Sequence, residues 1–178
     1  MGVTLAPHPD NPAGLQHEVD ATLTRRPDGV LAVAYSIRGD MSALHVPTPM
    51  APASADALWR TTCCELFVAA GEKGYREFNF SPSGQWAVYD FADYRERAPV
   101  PPDCPAPTIT RRIDETALRV DVELPAAALP AGELRLGISA ILETRDGEIG
   151  YWALAHAPGR PDFHYATAFA LAFEKDPA

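Results

Sequence analysis

The sequence predicts an all-β protein built as an antiparallel β-sandwich, with a closed barrel as the alternative arrangement. Apolar and polar residues alternate with period two in many short segments, which is the pattern of strands with one buried face. Helical periodicity is nearly absent. Turn-forming clusters fall between the alternating segments, and the 178 residues hold 18 Pro and 12 Gly, too many breakers for long helices.

In chain order, strands are expected at 17–24, 30–38, 63–70, 75–81, 85–91, 108–113, 117–124, 134–142, 149–155 and 166–174, with further short ones near Val3 and Leu44. Pro27-Asp28-Gly29, Gly71-Glu72-Lys73-Gly74, Ser83-Gly84, Asp114-Glu115-Thr116 and Asp146-Gly147 supply the turns, and several of them should close hairpins. Only 54–59 and 126–129 can form a helical turn, the first with Ser54 as its cap. The Pro- and Ala-rich stretches 47–53 and 98–107 read as crossovers between sheets rather than linkers, so residues 1–178 are expected to form one domain. A domain of this length buries roughly 70% of its unfolded surface and needs no disulfide or metal to fold.

Lys and Arg number 15 against 24 Asp and Glu, a formal net charge of -9 that repels a nucleic-acid phosphate backbone. No stretch approaches the ~18 apolar residues of a spanning helix, and the first ten residues lack the cationic start and apolar run of a signal peptide. A cytoplasmic location without a membrane partner is therefore expected. The three cysteines are odd in number, and vicinal Cys63 and Cys64 bridge poorly, so reduced thiols are expected, with one of the adjacent pair in the core and Cys104 in a loop.

Residues 58–94 concentrate two of the three tryptophans. Within 75–81, alternation puts Phe78 and Phe80 on one face, which is most simply core, and Glu77 and Asn79 on the other. Glu65 joins them if the register of its strand matches. Carboxylates, an amide and the neighbouring Arg76 are groups that grip hydroxyls; the alternative is a solvated charged face contributing under about 1 kcal/mol. A second constellation is the loop 156–164, where His156, Arg160, Asp162 and His164 lie among stiffening prolines. Arg160 suits a carboxylate or phosphate, and a metal would need a further ligand from elsewhere. Alternatively, Asp162 and His164 simply bond the loop backbone. No GxSxG or GxGxxG is present, and the separation that Glu65 and Glu77 would need as glycosidase carboxyls is not legible in sequence. No catalytic residue, metal ligand or cofactor is assigned.

The segments TCCELF, Gly71, Tyr75 with EFNFSPSGQW, YDFADYR and the distal YWALAHAPGRPDFH resemble the DOMON-like bacterial family related to family-nine carbohydrate-binding modules. The resemblance implies a jelly-roll-like sandwich that binds sugar or, in other relatives, haem. Sugar-binding relatives hold a terminal sugar between two tryptophans, because a flat indole covers the C–H face of a pyranose while polar groups read its edge. The implied ligand-binding set is Trp59, Glu65, Arg76, Glu77, Asn79, Trp86, Trp152, His156, Arg160 and His164, with two of the three indoles as platforms. Each indole is equally suited to filling a core. Two platforms would contribute roughly 2–5 kcal/mol before association costs, hence millimolar to tens-of-micromolar binding of a saccharide, with a soluble metabolite or nucleotide sugar fitting the cytoplasm. The alternatives are a protein-interaction module whose aromatics are interior, and a haem or metal protein using Met41, Met50 or His45.

Overall fold

The computed structural model describes residues 1–71, 73–100 and 102–173. They contain twelve strands: β1 (Gly2–Pro7), β2 (Glu18–Arg25), β3 (Leu31–Arg38), β4 (Cys63–Ala70), β5 (Tyr75–Phe80), β6 (Trp86–Asp93), β7 (Glu96–Arg97), β8 (Thr108–Ile113), β9 (Ala117–Leu124), β10 (Leu134–Glu143), β11 (Ile149–Ala153) and β12 (Leu171–Phe173). The expected antiparallel sandwich is what they form. One sheet runs β8-β9-β3-β2-β1 and the other β7-β6-β5-β4-β10-β11, and β1 belongs to both: its residues 2–5 pair with β2, while Ala6 and Pro7 pair with β11. The two sheets close on side chains such as Val19, Tyr35, Ile37 and Val120 from one and Leu66, Phe78, Phe80 and Trp152 from the other, all fully buried. Each such side chain contributes about 1.5–3 kcal/mol by leaving water.

Stretches 47–53 and 98–107 join strands of opposite sheets, as their composition suggested. Several local expectations need correction. The 54–59 turn lies at Leu58–Arg60; its cap position is Ala57, with a left-handed φ of 58° and no side-chain cap bond, while Ser54 instead bridges to Trp86. The expected strand 166–174 is a 3-10 turn at Ala166–Ala168 followed by short β12, because Ala168 and Phe169 turn inward to pack on the sheet; Glu174 lies outside the described residues, as does Glu72 of the 71–74 turn. Strand β11 ends at Ala153, two residues early, and Leu44 makes a single bridge to Thr144. The two-residue β7 has no signature in the alternation.

The outer face of the second sheet carries a separate apolar cluster. Phe67 and Ala69 of β4, Ile141 of β10 and Ala153 of β11 are covered by Phe163, Ala168 and Phe169 from the segment after β11. That segment, 154–170, folds back over strands whose outward residues would otherwise face water. The space it leaves is an open cleft.

Candidate functional site

Register decides which side chains reach this space. Glu65 pairs with Asn79 and with Ser139, and Glu77 pairs with Phe67 and Tyr89, so Glu65, Phe67, Glu77, Asn79 and Ser139 all point outward from the sandwich. Between them and the returning segment lies an open cleft of about 380 Å³. Glu65 and Glu77 form its floor with Phe67, Phe91 and Ile141. Tyr151, Phe163, Asp162 and His164 wall one part, Arg95 and Arg97 another, and Trp59 completes the lining with 44% of its surface exposed.

The floor carboxyls are unusual in their setting. Glu65 is buried; its Oε2 accepts from the Ser139 hydroxyl at 3.0 Å. Burial, reinforced by the Glu77 charge, pushes Glu65 well above the usual carboxylate range despite that bond. Burial also raises Glu77, against the Asn79 amide that donates to its Oε1 at 2.5 Å and the charges of Arg97 and Arg95.

His164 is held by a hydrogen bond to Tyr75. The Tyr75 hydroxyl accepts the Arg95 main-chain N–H at 3.1 Å and stands 2.7 Å from His164 Nδ1. Burial pushes Tyr75 up to about 12, so the phenol keeps its proton and can donate it to Nδ1. Burial, with Arg95 nearby, pushes His164 down to about 4 against the pull of Asp162, so the ring is neutral, and its hydrogen lies on Nε2 when Nδ1 accepts from Tyr75. That nitrogen lies 3.8 Å from Glu77 Oε2, too far for a direct hydrogen bond. A hydroxyl beside the gap can accept from the imidazole and donate to the carboxylate.

Arg95 reaches the cleft from a left-handed residue, φ 54°, which costs a non-glycine residue about 1 kcal/mol or more. The strain is offset by the bond to Tyr75 and by an ion pair from its Nη2 to Asp162 Oδ1 at 2.9 Å. Asp162 also accepts from the Tyr94 hydroxyl and the His164 main-chain N–H; although burial raises it, these bonds hold it below the usual carboxylate range. Arg97 lies over the Tyr89 ring, 3.9 Å from its centroid, and Tyr89 donates to Asp56.

Of the ten residues singled out from sequence, Trp59, Glu65, Glu77 and His164 line this cleft. Asn79 supports the floor from beneath, bonded to Glu77 and within 3.9 Å of the Cys63 thiol. The others lie elsewhere. Trp152 is sealed in the core, its indole N–H donating to the His17 carbonyl at 3.1 Å, so it is not a platform. Arg76 and Trp86 share the inner face of their strands with Phe78 and Phe80, by the same alternation that turns Glu77 outward. There Arg76 forms a two-pronged pair with Asp90 at 2.6 and 2.7 Å and donates to the Ala128 carbonyl, and Trp86 is half-buried. His156 bonds the Ala6 carbonyl at 2.8 Å and meets His8 edge to face; Arg160 is exposed and outside the lining. Of the three indoles expected to supply two platforms, Trp59 alone lines this cleft.

Arg95, Arg97, Tyr151 and Phe163 were missed. Tyr151 was readable: if Trp152 is core, alternation turns Tyr151 outward. Cys63 and Cys64 are both buried, on the outer and inner sides of β4, and burial pushes both thiols up. Among the alternative haem ligands, Met41 is buried and His45 Nδ1 lies 2.6 Å from Glu143. Among the described residues, no group of three or more His, Cys, Asp or Glu is arranged to hold a metal ion, and no helix is long and apolar enough to cross a membrane.

The molecule thus belongs among two-sheet antiparallel sandwiches that carry an open cleft of aromatic rings and carboxyls on one outer face. Solved structures share its fold. A protein from Bacteroides uniformis assigned as carbohydrate-binding superposes with a TM-score of 0.63 at 16% identity, covering 98% of this chain and 86% of its own. A family-nine carbohydrate-binding module from Caldicellulosiruptor kristjanssonii in complex with glucose gives 0.57 at 8% identity, covering 87% and 76%, and such a module from the same organism with cellotriose gives 0.54 at 9%, covering 87% and 74%. No family model and no curated protein matches the sequence.

Proposed function

We propose that the protein binds a saccharide or sugar derivative in this cleft, as a non-catalytic module akin to the DOMON-like relatives of the family-nine modules. The observation that carries the reading is the exposed Trp59 indole lining the same cleft as the polar floor of Glu65, Glu77 and His164. An apolar ring surface beside fixed donors and acceptors is what a pyranose needs, since its faces are C–H and its edges are hydroxyl. The gap between His164 Nε2 and Glu77 Oε2 fits one such hydroxyl. Fold likeness to modules solved with glucose and cellotriose supports the same class of ligand. One indole rather than two contributes about 1–3 kcal/mol before association costs, which favours millimolar over micromolar affinity.

Calorimetric titration of glucose, cellobiose and a panel of other mono- and disaccharides tests this. Saturable heat from at least one, accompanied by a change in tryptophan emission, is expected; a flat response to the whole panel at tens of millimolar overturns the reading.

A further inference from the structure

We propose that the ligand of this cleft carries a protonated amine, as an amino sugar does, and that the carboxyls of Glu65 and Glu77 receive it. The inference rests on the saccharide reading of the cleft and narrows it. Strands β4 and β5 place both carboxyls on one outward face, Glu65 opposite Asn79 and Glu77 opposite Phe67. Both residues are more than nine-tenths buried, at 2% and 5% exposure, yet both line an open cavity. Their hydrogen-bond partners are neutral: the Ser139 hydroxyl on Glu65 Oε2 and the Asn79 amide on Glu77 Oε1. Among the described residues, Glu65 Oε1 and Glu77 Oε2 accept no hydrogen bond.

The cations that could serve the pair are engaged elsewhere. Arg95 is bound to Asp162 at 2.9 Å, Arg97 lies over the Tyr89 ring, and His164 is neutral with its Nε2 3.8 Å from Glu77. Burying two neighbouring carboxyls against an open cleft, with only neutral donors on them, raises both above the usual carboxylate range and so favours holding a proton on the pair. An ammonium group brings three donors and the missing positive charge. Bound at the two free oxygens, it takes the place of that proton, which leaves to solvent. The nearby Arg95 and Arg97 charges limit the gain, and Asp162 adds to it from the overlying segment.

Glucosamine hydrochloride and glucose, titrated in parallel at pH 7 in two buffers of different ionisation enthalpy, test the proposal. Glucosamine is expected to bind about tenfold tighter than glucose and to release a proton, seen as a buffer-dependent enthalpy that glucose lacks. Glu77→Gln should shrink the glucosamine preference to about twofold or less, with its thermal melt confirming that the variant is folded. Equal affinities without proton release overturn the amine and leave saccharide binding standing, whereas silence from both sugars overturns both. Saturable heat from calcium chloride alone, with none from glucosamine, also overturns it in favour of a metal ion.

Discussion

Tyr75 and His164, 89 residues apart in sequence, share a hydrogen bond of 2.7 Å, and through it a strand of the sheet is tied to the overlying segment. Removing the hydroxyl in Tyr75→Phe frees Nδ1 and deprives the Arg95 N–H of its acceptor. The variant should lose about 1 kcal/mol in urea unfolding and about three- to tenfold in saccharide affinity. Nitrogen chemical shifts of His164 should show a single Nε2–H tautomer in the wild type and a mixture in the variant. Unchanged shifts would mean that something other than Tyr75 sets the tautomer.

Trp59 is 44% exposed while Trp152 is wholly buried and Trp86 half-buried, so collisional quenching separates them. Most acrylamide-quenchable emission should vanish in Trp59→Phe. Trp59→Ala should weaken saccharide binding about tenfold and change stability by no more than about 0.5 kcal/mol. Trp152→Ala, in contrast, opens the core and should cost about 3–5 kcal/mol.

Strand positions were legible because period-two alternation is a local property, and the same alternation correctly turned Phe78 inward and Glu77 outward. Applied to Arg76 and Trp86 it places both on the inner face, away from the cleft; Arg76 was drawn in by its nearness in sequence to Glu77 and Asn79, and Trp86 by the resemblance to two-tryptophan sites. What alternation cannot carry is the path of segment 154–170 over the sheet, which is set by tertiary contacts of Phe163 and Phe169 with Phe67. Arg95 and Arg97 were hidden for a related reason, since a left-handed arginine and a two-residue strand leave no periodic trace.

Glu65 has its folded-state value raised by burial, so it favours the fold while protonated. That contribution is complete below the ordinary carboxylate range and is lost as pH rises through the raised value. Glu65→Gln cannot ionise and should flatten this alkaline loss. Urea unfolding at a series of pH values should find the variant as stable as wild type near pH 4.5 and more stable at pH 8.5; parallel curves would show that Glu65 does not titrate in that window.

His164 has the opposite sign. Its value is pushed down from 6.5 to about 4, so its contribution is complete above 6.5 and lost as pH falls from there towards 4. The loss over that interval is at most about 3 kcal/mol for a side chain this buried. His164→Gln should be less sensitive to acid between pH 6.5 and 4 in unfolding experiments, with the remaining slope coming from groups such as Asp162.

Gly137 on β10 is where the overlying segment touches down. A Cβ there would sit 2.7 Å from Phe169 Cδ1 and 3.2 Å from the Ala168 carbonyl, and the second of these is main chain that cannot rotate away. Phe169 has little room to yield, being stacked on Phe67 at 5.8 Å and tilted against Tyr75 at 5.2 Å between ring centroids. Gly137→Ala must therefore lift the segment rather than rearrange one side chain, at about 1–3 kcal/mol. Because Asp162, Phe163 and His164 ride on the same segment, the cleft should loosen with it. Saccharide affinity is expected to fall together with unfolding free energy, and amide exchange should quicken across 163–169 while the β2–β3 ladder stays protected. A variant that loses stability but keeps full affinity would show that the wall of the cleft is held independently of this contact.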